Sequence, residues 1–180
     1  DENGLSEAWA DLGASFGAGA SGDRMSFSLR SLAYPDLLGK AALLAARQMG
    51  EPTFPAAVWL RERDRLNAAL REANTRPATL AGRAFNAAVY GQHPYGFEMT
   101  EATLARISVG DMKTAYSRLV LPCRAKVTIV GALDRAQADA LVRQIFSRMP
   151  ATGASPAACP ALPLVAEVAA LEQAVEQRIA

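Results

Sequence analysis

Histidine is almost missing from this 180-residue chain, with His93 the single imidazole. One imidazole excludes a metal shell or proton relay built on a pair of histidines. Cysteine is nearly as scarce. Cys123 and Cys159 are too few for a disulfide framework and lack the close spacing of a metal-ligand pair, so they leave the compartment open. Lysine is limited to Lys40, Lys113 and Lys126, and every other cationic side chain is an arginine. With heavy alanine use, that bias points to a GC-rich bacterial genome rather than a phosphate-binding surface. An excess of one charge is missing too: 19 Lys+Arg against 18 Asp+Glu leave a formal net charge of +1. No field is available to hold a nucleic acid or an anionic membrane. No apolar run approaches the roughly 20 residues of a membrane span. The chain opens at Asp1 with no signal-like stretch behind it, so it reads as an excised or processed piece, periplasmic or cytoplasmic. What is present is globular material, 51% apolar and 21% charged, enough for one core.

Hydrophobic periodicity divides the chain into elements. Residues 5–12 have helical spacing, with Ser6 as N-cap and Gly13 just past the end. Period two then takes over on both sides of Ser21-Gly22-Asp23, which predicts an antiparallel hairpin of 14–20 and 24–32. Helices are expected over 36–48, 55–74, 77–90, 100–107, 108–119 and 134–149, with 91–96 a turn. Ser108 and Asp111 have the spacing of a capping box. Residues 125–131 (AKVTIVG) are β-branched and predict a central strand of the same sheet. Residues 151–163 have linker composition, and 164–180 read as the start of a connector to a following domain. No internal repeat is visible.

Two motifs match on paper and fail in context. Gly17-x-Gly19-x-x-Gly22 satisfies the dinucleotide fingerprint, which requires a helix directly after the glycines, yet period two continues here. Gly13-x-Ser15-x-Gly17 matches a nucleophile elbow, but a helix precedes it and a strand follows, the reverse of the required order. His93, between Gln92 and Pro94, reads as a turn residue; Glu98 and Glu101 are nearby oxygen donors should it ligate a metal. Trp59 reads as core. Arg61, Arg63, Arg65 and Arg71 alternate with Glu62, Asp64 and Glu72, which is the pattern of a solvated, salt-bridged helix face.

The order of elements and several strings resemble the pitrilysin/insulinase (inverzincin) family of zinc metallopeptidases. The strings are Leu12-Gly13-Ala14 entering a small-residue strand, Arg61-Glu62-Arg63 on a long helix, Pro77 after it, Tyr90-Gly91-Gln92-His93-Pro94-Tyr95-Gly96, and Val127-Thr128-Ile129-Val130-Gly131. The resemblance covers residues 4–150 and implies an α+β domain, a mixed and mostly antiparallel sheet packed against helices, as in mitochondrial-processing-peptidase-like domains. Active members hold zinc with an H-x-x-E-H helix and a later Glu. This chain has no H-x-x-E-H, which in the family would lie upstream of the position matching Asp1. The later Glu stands about seven residues after an upstream Glu and about eight before the helix-ending Pro. Counting from Glu62 and from Pro77 both lead to Ala69, and Glu72 is the nearest carboxylate.

The resemblance therefore implies a non-catalytic half of a zinc protease, with no catalytic, cofactor-binding or metal-ligating residue assigned in this chain. Zinc would belong to a catalytic homologous domain or subunit, and peptide substrate would be met through that partner in a closed chamber. The alternative is a structural or interaction subunit of the same fold without a proteolytic role. A serine hydrolase built on Ser15 is the third reading. Val165, Val168, Leu171, Val175 and Ile179 lack an element to pack against, so an oligomer is expected.

Overall fold

The computed structural model describes residues 2–150, 159–161 and 165. The elements run α1 (Glu2–Asp11), β1 (Ser15–Ser21), β2 (Arg24–Arg30), α2 (Pro35–Gly50), α3 (Ala56–Ala73), α4 (Pro77–Tyr90), a 3-10 turn (Pro94–Gly96), α5 (Glu101–Arg106), α6 (Val109–Leu119), a second 3-10 turn (Pro122–Arg124) and α7 (Arg135–Ile145). The class is α+β. Among the described residues the chain divides into two compact units, one of 2–53 with 116–150 and 159–160, the other centred on 54–115. No helix of the described residues is long and apolar enough to cross a membrane.

In the first unit β1 and β2 form the antiparallel hairpin that alternation predicts. Its register pairs Phe16 with Leu29, Ala18 with Phe27 and Ala20 with Met25 on one face, and Gly17 with Ser28 and Gly19 with Ser26 on the other. The apolar face meets α1 at its open end. Trp9 stacks on Phe16 at 5.6 Å between centroids, and Phe16 stacks on Phe27 at 6.1 Å. Trp9 is buried, and its indole N–H donates to Gln48 Oε1 at 2.8 Å, so the one polar atom it carries inward is satisfied. Towards the turn that cover runs out, and Met25 is exposed.

Helix α2 begins with Pro35 in its first turn and Asp36 beside the N-terminus, both favourable there. Its buried face is Ala41, Ala42, Ala45, Ala46 and Met49. Side chains this small let α2 approach both the Trp9 cluster and α7 closely. The segment just after α7 comes close to α2 at Gly50, where a Cβ would collide with the Arg148 carbonyl. Polar tethers flank that seam: Gln144 Nε2 donates to the Gly39 carbonyl at 3.0 Å, and Arg148 pairs with Glu51 at 2.6 Å. Tyr116, on α6, donates its hydroxyl to the Met49 carbonyl at 2.8 Å, and burial raises its pKa. Helix α7 starts in a capping box in which Asp134 accepts from Gln137 N while the Gln137 side chain accepts from Asp134 N.

One expectation is overturned. Residues 125–131 form no strand, and the sheet has two strands among the described residues. Propensity marks a segment that suits a pleated, half-covered surface, but a ladder needs a neighbour to donate and accept. Here Val127 and Ile129 are substantially exposed and Val130 is 95% exposed, so no sheet face covers them. The linker and connector assigned to 151–163 and 164–180 lie outside the described residues, apart from 159–161 and Val165.

In the second unit α3 packs against α5. Leu104 of α5 is the buried anchor, and the Trp59 indole on α3 donates to the Ile107 carbonyl at 3.1 Å. Thr100 and Thr103 form the capping box that starts α5. Ser108 and Asp111 exchange the same pair of bonds at the start of α6, and both Ser108 groups hold the Asp111 carboxyl below its ordinary pKa.

Candidate functional site

Helix α3 is where the sequence resemblance would put a later zinc ligand. Residues 62 and 69 are two helical turns apart and share a face. Ala69 is exposed there and presents a methyl group. The flanking carboxylates are occupied in local ion pairs, Glu62 with Arg65 at 2.8 Å and Glu72 with Arg76 one turn on. Of the alternating charges on this helix one pair, Arg65 with Glu62, closes within the set, while Glu72 and Arg71 pair with Arg76 and Glu101 beyond it. On its other side, Asn67 carries a buried Oδ1 with no hydrogen-bond partner.

A half-open cleft of about 240 Å³ lies between α3, α4 and residues 99–102. Leu70 and Met99 supply its apolar surface. Arg83 reaches across it, with its Nε 2.9 Å from Glu98 Oε2 and its Nη1 donating to the Asn74 side chain. Arg71 grips Glu101 in a fork, Nε to Oε1 at 3.0 Å and Nη2 to Oε2 at 2.6 Å. That fork lowers the Glu101 pKa through its hydrogen bonds, against a smaller desolvation effect, and raises that of Arg71. The polar groups around the cleft satisfy one another, so it is a knot joining three segments.

His93 caps the 3-10 turn that follows α4. Its Nδ1 accepts from Tyr95 N at 3.2 Å, and its ring lies edge-on to Tyr95 at 4.8 Å and 6.3 Å from Tyr90. Gly96 lets the turn close, since a Cβ there would sit 2.8 Å from the Tyr90 Cβ. The ring is therefore a turn residue, as its setting between Gln92 and Pro94 suggests.

Zinc, which the family resemblance implies for catalytic members, does not fit these residues. Ala69 offers no donor, the nearby carboxylates bind arginines, and His93 Nδ1 already accepts a backbone N–H. Among the described residues no three His, Cys, Asp or Glu side chains are grouped to hold a metal ion. The other paper motifs stay in the hairpin: Ser15, Gly17 and Gly19 lie on β1, opposite Arg30, Ser28 and Ser26. None of them stands at a helix start.

What the sequence left unread is a bridge. Cys123 and Cys159 form a disulfide with Cα atoms 5.7 Å apart across a separation of 36 residues. No short spacing announces such a pair. Beside it, the Arg124 guanidinium donates to the Arg118 carbonyl at 3.0 Å and to the Pro160 carbonyl.

No protein-family model matches the chain, and no curated protein matches it. Among solved structures it is similar to a peptidase M16 inactive domain from Pseudomonas fluorescens, with a TM-score of 0.81 and 28% identity. The match covers 94% of this chain and 40% of that one, so this chain spans about two fifths of its neighbour's length. The fold is that of a peptidase M16 inactive domain.

Proposed function

We propose that this chain is the non-catalytic half of an M16-type zinc peptidase, and that it closes a peptide-holding chamber against a catalytic homologous domain or subunit. The observation that carries the reading is the match, along 94% of the chain, to a domain described as inactive. The chemistry of α3 agrees with it, because Ala69 removes a donor and the flanking carboxylates hold arginines. In this role the chain supplies surface rather than a reacting group. Phe85 and Phe97 of the second unit are 65% and 71% exposed, the kind of apolar surface that a partner covers.

The test uses the full chain, purified alone and together with the catalytic M16-type subunit of the same genome, with a quenched fluorescent peptide as substrate. The expected result is no cleavage by the chain alone, a stable complex on gel filtration, and faster cleavage by the complex than by the catalytic subunit. Cleavage by the chain alone would overturn the reading, as would failure of the two to associate at micromolar concentration. A complex that forms without any gain in cleavage would move the assignment to a structural subunit.

A further inference from the structure

We propose that the Cys123–Cys159 bridge is a redox latch, closed under oxidising conditions and opened by a dithiol, that fastens residues 159–160 to the turn after α6. The inference stands apart from any peptidase role. Three observations carry it. The Cα separation of 5.7 Å lies in the range that a disulfide spans without backbone movement. Both cysteine residues are partly exposed rather than buried, and exposed bridges are the ones more open to exchange. Arg124 supplies a second fastening at the same place, with one guanidinium holding the Arg118 and Pro160 carbonyls together. Such a bridge stays closed under oxidising conditions and opens under reducing ones.

Opening is a two-electron exchange. A reductant thiolate attacks one sulfur of the bridge, the S–S bond breaks, and a mixed disulfide forms while the other cysteine leaves as a thiolate and takes up a proton. The second reductant thiolate then displaces the first, closing the reductant's own disulfide and freeing the second cysteine as a thiol. The guanidinium bonds of Arg124 to the Arg118 and Pro160 carbonyls remain.

The experiment uses the full chain purified without reductant and split into untreated and dithiothreitol-treated portions. Each is alkylated, weighed intact, and digested briefly with trypsin. The expected result is no alkyl group before reduction and two after it, located on Cys123 and Cys159. Cleavage after Arg124 should quicken about tenfold on reduction, because the backbone beside the scissile bond is no longer pinned through Cys123. Cys123→Ser and Cys159→Ser should each cleave at the fast rate with or without dithiothreitol. Two free thiols in the untreated chain would overturn the proposal. So would an Arg124 cleavage rate that reduction leaves unchanged, and that arm decides the matter even if a serine variant fails to fold.

Discussion

Two glycines of α2 should respond to the same substitution with opposite signs. At Gly39 an added Cβ meets no atom within 4 Å, so Gly39→Ala gains the usual advantage of alanine over glycine in a helix, roughly 0.5–1 kcal/mol. At Gly50 the added Cβ would strike the Arg148 carbonyl oxygen and come within 2.7 Å of the Arg148 Cβ. The obstacle is backbone, which cannot rotate aside as a side chain can. Relief requires the segment after α7 to move off α2, at a typical overpacking cost of about 1–3 kcal/mol. The Arg148–Glu51 pair sits on that segment with both side chains about half exposed, 47% and 50%, so its contribution is at most about 1 kcal/mol. It cannot anchor the seam. Subtracting the helix gain leaves Gly50→Ala destabilised by about 0–2.5 kcal/mol, and because both variants share that gain they stand about 1–3 kcal/mol apart. Urea unfolding followed by tryptophan fluorescence reads this directly, with midpoints separated by about 1 M for a chain of this size. Equal midpoints, or a Gly50→Ala chain more stable than Gly39→Ala, would refute the close approach of α2 to the segment after α7.

Cys159→Ser should cost about 4 kcal/mol of unfolding free energy under oxidising conditions, from the entropy of a closed loop 36 residues long, and nothing in excess dithiothreitol; urea curves in both buffers check it. Asn67→Leu should leave stability unchanged or raise it by up to about 1 kcal/mol, because the buried Oδ1 it removes has no partner; the melting temperature is the readout. The carboxyls of Glu101 and Asp111 should titrate below ordinary carboxylates in carbon-detected NMR. Since folding depresses both pKa values, their contribution to stability is present above the ordinary carboxylate range and fades as pH falls through the lowered values; Arg71→Gln should bring Glu101 back up and leave Asp111 in place. Elemental analysis of chain purified without chelator should find no stoichiometric zinc, and stoichiometric zinc that Glu72→Ala abolishes would show that α3 does ligate metal.

Much of the fold is legible because local chemistry and tertiary packing agree. Phe16, Phe27 and Leu29 alternate with small or polar residues, and the pleat turns that alternation into a covered face and an open one. Ser108 with Asp111 and Pro77 mark helix starts because each meets a need of the helix terminus itself. Residues 125–131 mislead because β-branching describes one strand while a ladder requires two. The bridge is hidden for a different reason: nothing local pairs cysteines 36 residues apart, and only the fold brings Cys159 beside Cys123. At the candidate site, Ala69 can be counted from Glu62 and Pro77. The arginine partners of Glu98 and Glu101 cannot be so counted, since those contacts join α4 and α3 to the segment around α5.

The alanine face of α2 constrains how this chain can drift over evolutionary time. At Ala41, Ala42, Ala45 and Ala46, each fully buried, every replacement except glycine adds volume to a closed seam, and glycine weakens the helix. Accepted change there needs a compensating loss of volume on the opposing surface, most readily on α7 or around Trp9. Across related chains, size at these four positions should therefore vary in concert with size on their neighbours. The outward residues of the same helix, Leu43 among them at 48% exposure, are free to change alone.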